Sequence, residues 1–152
     1  SYIPEWAGGR MGLARYLAQY QPDLVIVSLG GNEVEIADPG SRAEPIRRIV
    51  RTIGERPCLW VGTPRWKALR HNAILEVIED NVAPCRFVDS DQIVPNMKTF
   101  GDGVHPTMAE RGRWARVLVQ WLQQNRDPDG AVPWAFRETL GFVPEAAADT
   151  PP

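Results

Sequence analysis

Histidine, cysteine and serine are scarce in this chain of 152 residues, which holds two, two and four of them. The histidines and cysteines are widely separated, so no cluster with metal-ligand spacing exists and no metal or other cofactor is implied. Long apolar runs are missing too. None approaches the roughly 20 residues of a membrane span, so no membrane span is expected. No stretch concentrates Lys or Arg, and the net charge is −2, which excludes a nucleic-acid footprint. There is no internal repeat. No secretory leader is visible, but the sequence opens at Ser1 without an initiator Met, so that absence carries no weight. What is present is ordinary for a water-soluble globular chain: 43% hydrophobic and 24% charged residues. The length suits one domain that buries roughly two-thirds of the surface its unfolded form exposes.

Punctuation by Gly, Pro and capping residues divides the chain. In residues 9–20, Met11, Ala14, Leu17 and Ala18 fall at helical spacing, and Gln21-Pro22 ends that helix. Leu24 to Leu29 is almost all Leu, Ile and Val, which suits a parallel strand covered on both faces. Ser41 and Glu44 form a capping-box pattern ahead of the apolar stripe Ile46, Ile49, Val50 and Ile53, and Gly54 is a stop. Leu59-Trp60-Val61 reads as a second strand ending at Gly62-Thr63-Pro64. Leu69, Ile74, Leu75 and Ile78 predict a helix between Trp66 and Val82, and Arg86-Phe87-Val88 a third strand. Thr107 and Glu110 make a second capping box, followed by the amphipathic face Trp114, Val117, Leu118, Trp121 and Leu122. Residues 1–125 thus read as an α/β core, and 126–152 as a Pro-, Ala- and acid-rich surface extension ordered around Trp134, Phe136 and Leu140.

Strands alternating with helices argue for an open parallel sheet, whose sites form beyond the carboxyl ends of the strands. Three segments then share one rim: Gly30-Gly31-Asn32-Glu33, Gly62-Thr63-Pro64, and the loop Phe100-Gly-Asp102-Gly-Val-His105-Pro106. His105 lies three residues after Asp102, and Pro106 with the Thr107 cap fixes the chain direction beyond it. A loop histidine oriented by a carboxylate has what a general base requires.

PDLVIVSLGGNE and DGVHPT, in that order, resemble two signature blocks of the SGNH (GDSL-type) hydrolases, a likeness that runs from about residue 10 to 125. The resemblance implies a three-layer, flavodoxin-like α/β sandwich and a serine ester hydrolase. It assigns His105 as general base, Asp102 as its orienting carboxylate, and Asn32, with backbone N–H groups at Gly30 and Gly31, to the oxyanion hole. Two departures stand out. The family's aspartate after the asparagine is Glu33 here, expected to shape the loop and border the substrate cleft. No Gly-Asp-Ser block occurs, and of Ser1, Ser28, Ser41 and Ser90 none follows a first strand. In the family that first strand pairs with the one read at Leu24–Leu29, and without it an apolar parallel edge would lie open. The expectation is therefore that the N-terminal strand–helix–strand, with its nucleophilic serine, is supplied upstream or by a companion chain. A relative rebuilt without it, keeping the fold for binding or scaffolding and no chemistry, is the rival reading.

The substrate class implied is a small-molecule or glycan ester, including carbohydrate O-acetyl groups, with lipid esters or thioesters as the alternative. Thr63 and Trp66 are candidates for the cleft wall; Trp60, Trp114 and Trp121 are assigned to the core and His71 to a solvated helix face. Cys58 and Cys85 each precede a strand, and the two strands should be parallel neighbours. Both thiols then sit at the end of the sheet opposite the rim, either bridged or as two buried free thiols. A bridge implies a periplasmic or extracellular location, and free thiols a cytoplasmic one.

Overall fold

The computed structural model describes residues 1–9, 11–65 and 72–145. The protein is a mixed α/β structure with an open three-stranded parallel sheet and six helices among the described residues. In chain order these are α1 (Ile3–Ala7), α2 (Leu13–Tyr20), β1 (Val25–Val27), α3 (Ala43–Ile53), β2 (Cys58–Gly62), α4 (Ala73–Asn81), β3 (Arg86–Asp89), α5 (Ser90–Ile93) and α6 (Met108–Asn125). The strands lie in the order β1-β2-β3, with Val25 beside Cys58 and Leu59 beside Arg86. Parallel neighbours need crossover connections, and α3 and α4 supply them.

β2 is buried along its whole length, and its side chains alternate between two clusters. Cys58 and Trp60 join the apolar stripes of α3 and α4, together with Ile3 and Leu17. Leu59 and Val61 join Val88, Ile93, Val94, Trp121 and Leu122. The continuous apolar run of β2 therefore follows from its place between two strands, with helix on each face. Trp60 is fully buried, and its indole N–H donates to the Leu29 carbonyl at 3.1 Å.

β1 departs from expectation. It is three residues long rather than six, and it is not covered throughout. Ile26 is in register with Leu59 and so points to the same face, yet Leu59 is buried while Ile26 is 47% exposed. Among the described residues β1 is hydrogen-bonded to β2 alone, so no strand pairs with its outer edge. Ser28, expected inside a buried strand, is exposed for the same reason. It lines a shallow apolar cavity of about 160 Å³ with Trp6, Leu13, Ile26, Leu29 and Ile49.

The Ser41 capping box does not form. Pro39–Arg42 winds a 3₁₀ turn in which the Ser41 hydroxyl donates to the Asp38 carbonyl at 2.6 Å. Glu44 turns instead to Arg47 (3.2 Å) and Arg51 (2.6 Å), which offer charged donors in place of a backbone N–H. The second box is half made. Thr107 Oγ1 accepts from the Glu110 N–H at 3.3 Å, while the Glu110 carboxylate pairs with Arg113. Residues 126–142 fold back on the core. Phe136 bridges to Arg126 and packs its ring 6.0 Å from Trp121, and the Asn125 side chain holds the Gly141 N–H at 2.8 Å. No helix among the described residues is long and apolar enough to cross a membrane.

Candidate active site

The carboxyl ends of the three strands carry the rim loops. β1 leads into Gly30, whose φ of 118° is open only to glycine. A Cβ there would also lie 2.8 Å from Ile78 of α4. The turn continues as a short 3₁₀ helix, Gly31–Glu33, with Gly31 against the Thr63 methyl group at the end of β2. Thr63 is partly buried, its hydroxyl has no partner among the described residues, and it lies beside Gly31 at the carboxyl ends of β1 and β2.

Asn32 is exposed, and its Nδ2 donates to the Ser1 carbonyl at 3.1 Å. Glu33 is not a cleft-lining residue. Its side chain turns inward, 1% exposed, accepts the Ile3 N–H at 2.6 Å and lies 3.7 Å from Arg42. Burial pushes the Glu33 carboxyl above its ordinary range, opposed by the Ile3 N–H and the Arg42 charge.

The second part of the site is the loop Thr99–Pro106. Thr99 pairs with Pro106, Phe100 N–H donates to the His105 carbonyl at 2.8 Å, and Gly103 turns the chain with φ +70°. Within this frame Asp102 Oδ1 accepts the N–H groups of Val104 (2.9 Å) and His105 (3.0 Å), and Oδ2 lies 2.8 Å from His105 Nδ1. The Val104 N–H first, then the His105 ring and the His105 N–H, hold the Asp102 carboxyl down to about 2 from its ordinary 3.8. Asp102 is therefore ionised at neutral pH and can only accept. That places the proton of neutral His105 on Nδ1 and leaves Nε2 as a free base. The His105 side chain is 66% exposed, so Nε2 is accessible. Beside it, half-exposed Phe100 carries the Arg111 guanidinium 5.9 Å from its ring centroid.

Asp102 and His105 form one unit, and Asn32 another with Ser1; no hydrogen bond among the described residues joins the two. None of the four serines bonds to His105: Ser41 donates to Asp38, and Ser90 is fully buried on the Gly62 carbonyl. No family model matches the sequence, and no curated protein or solved structure matches it. Trp66 and His71 lie outside the described residues. Cys58 and Cys85 are joined in a disulfide, 4.7 Å between Cα atoms, at the opposite end of the sheet from the rim.

Three features of the rim had no local signal in the sequence. Arg65 donates to both oxygens of Asp89 (3.1 and 2.8 Å) and to Asp91, pinning the loop after β2 to the end of β3. The partners are more than twenty positions apart, and only the fold brings them together. The same holds for the contacts of Ser1 and Ile3 with Asn32 and Glu33; Arg111 reaches Phe100 over 11 positions, from a helix to the loop before it.

Proposed function

We propose that residues 1–152 carry the histidine–aspartate half and the oxyanion loop of an SGNH-type serine ester hydrolase, within a three-layer α/β sandwich. The observation that carries this reading is the Asp102–His105 pair: a carboxylate fixed by two backbone N–H groups, holding an imidazole whose second nitrogen is open. Both apolar clusters of β2 support the layered arrangement.

The nucleophilic serine belongs to polypeptide outside these residues, an upstream segment or a companion chain. The uncovered flank of β1 supports that, since a parallel edge with an exposed Ile26 is a surface that proteins ordinarily pair or cover. His105 Nε2 takes the serine proton as Oγ bonds to the ester carbonyl carbon, and Asp102 stabilises the imidazolium formed. The Asn32 amide and the N–H groups of the Gly30–Gly31 turn hold the oxyanion, each donor worth about 3–4 kcal/mol. The tetrahedral species breaks its bond to the alcohol, which leaves with the histidine proton. Water then enters by the same route and releases the acid.

The open setting of His105, with Phe100 and Arg111 beside it, favours a small or glycan acyl ester over a lipid. The apolar cavity is lined by β1, α1, α2 and α3 residues, not by the His105 loop. The test is fluorophosphonate labelling of the natural polypeptide that contains these residues, followed by peptide mapping and ester turnover. An adduct on one serine outside residues 1–152, lost together with turnover in His105→Ala, is the expected result. Unchanged turnover in His105→Ala, or absence of any serine adduct, overturns the reading in favour of a binding domain without chemistry.

A further inference from the structure

Asn32 and Glu33 are consecutive, and they read two points of the same N-terminal segment. Tyr2 is extended, with φ −115° and ψ 152°. In an extended chain the carbonyl of one residue and the N–H two residues on project to the same side. Here those groups are the Ser1 carbonyl, which accepts from Asn32 Nδ2 at 3.1 Å, and the Ile3 N–H, which donates to Glu33 Oε1 at 2.6 Å. Two adjacent side chains thus imitate the paired bonds of a neighbouring strand. The grip is anchored at its inner end, where Ile3 is fully buried and Glu33 is 1% exposed.

A buried carboxylate is costly and persists where its acceptor is used. Glu33 Oε1 accepts from Ile3 and lies 3.7 Å from Arg42 Nε, while its second oxygen has no hydrogen-bond partner among the described residues. The hydrogen bond to Ile3 is the contact that holds residues 1–3 in register. The outer end of the grip bears on Asn32. A carboxamide nitrogen carries two hydrogens about 120° apart. With one directed at the Ser1 carbonyl, the other has a fixed direction. Reversing the amide would set Oδ1 against the Ser1 carbonyl oxygen, so the contact selects which end of the amide donates.

We propose that Glu33 and the Ser1 carbonyl are positioning elements for the Asn32 amide: Glu33 fixes residues 1–3, and the Ser1 carbonyl aims the second N–H of Asn32 at the developing oxyanion. This rests on the esterase reading above and goes further by giving the departure at Glu33 a role in that site. Glu33 acts through the backbone of residues 1–3 and touches no substrate.

The experiment compares wild type, Glu33→Ala, Glu33→Gln and a variant lacking Ser1. In ¹⁵N-resolved spectra of the 152-residue chain, one Asn32 side-chain proton should exchange slowly and the other freely. Glu33→Ala should make the two alike. Glu33→Gln, whose Oε1 still accepts from Ile3, should restore the difference. Removing exposed Ser1 should abolish it without touching the core, which keeps the test valid if Glu33→Ala does not fold. In the serine-bearing natural polypeptide, Glu33→Ala should lower kcat roughly 10- to 100-fold with KM within about twofold, and Glu33→Gln should recover most of that loss. Unchanged Asn32 protons in Glu33→Ala overturn the proposal. So does a changed amide with unchanged kcat, which would make the grip purely structural. If wild type takes no fluorophosphonate, the esterase reading fails instead, and the amide protons still decide whether the grip exists.

Discussion

The disulfide between Cys58 and Cys85 offers the most quantitative test of this structure. It links the first residue of β2 to the residue before β3, both buried, at a sequence separation of 27. Closing a loop of that size removes about 12 cal/mol/K from the unfolded chain, or roughly 3.5 kcal/mol at 25 °C. Reduction should therefore lower unfolding stability by about that amount. With an m-value near 2 kcal/mol/M for urea, the midpoint should fall by roughly 2 M. Trp60 lies at the centre of the buried sheet, so tryptophan fluorescence during urea titration, with and without reductant, follows the relevant transition. Alkylation and intact mass under the same conditions count the thiols. Two alkylated thiols before reduction would refute the bridge itself. A confirmed bridge with a midpoint shift below about 0.5 M would refute the loop-closure argument, by showing that the reduced unfolded state already holds these strands together. A bridge of the expected worth fits an oxidising compartment.

Gly30→Ala should destabilise the fold by about 3 kcal/mol, combining a φ that alanine cannot adopt with a Cβ 2.8 Å from Ile78; thermal unfolding measures it, and a shift under 0.5 kcal/mol would mean the turn rearranges freely. The Asp102 carboxyl should titrate near 2 rather than 3.8 by ¹³C NMR. Because its folded value is depressed, the stability it lends the loop is present above pH 3.8 and is lost as pH falls through about 2; a midpoint near 3.8 would show that the Val104 and His105 contacts are absent in solution. Ile26→Lys should leave the melting temperature nearly unchanged and reduce self-association of the 152-residue chain in sedimentation, since it places a charge on the open flank of β1. Identical sedimentation at all concentrations would show that the flank is not adhesive.

What could be read from the sequence was what depends on spacing along the chain. The stripe at Ile46, Ile49, Val50 and Ile53 identified α3, and all four residues are buried. The apolar run at Leu59–Val61 identified a strand, and the burial on both faces expected of Leu24–Leu29 belongs to this strand instead. The Asp-x-x-His spacing allowed a carboxylate–imidazole contact and the family resemblance assigned it; Asp102 Oδ2 lies 2.8 Å from His105 Nδ1. The same logic misled at Ser41, where the capping-box spacing is present but two arginines outbid the backbone for Glu44. Spacing carries no information on competitors from elsewhere in the fold. The cleft-bordering expectation for Glu33 failed for that reason as well: the Ile3 N–H and Arg42, both distant from its local sequence pattern, meet its carboxylate inside.

The two edges of the sheet show why local reading had a limit at β1. Both outer strands have one hydrogen-bonded neighbour, yet their surroundings differ. Beside β3, Arg86 donates to the Arg137 carbonyl, and Leu140, Gly141 and Phe142 face Phe87, Val88 and Asp89 across a cavity of about 340 Å³. Beside β1 lie exposed Ile26 and Ser28 and the Trp6 indole, whose N–H is buried without an acceptor among the described residues. Buried donors ordinarily find a partner, and apolar strand edges are ordinarily covered. The apolar composition of Leu24–Leu29 is therefore that of an interior strand, while its surroundings here are those of an edge. That mismatch lies on the strand leading directly into Gly30, Gly31 and Asn32. The reading of an incomplete nucleophile and the observation of an uncovered flank thus concern the same strand, and physical arguments independent of any family likeness lead to the second.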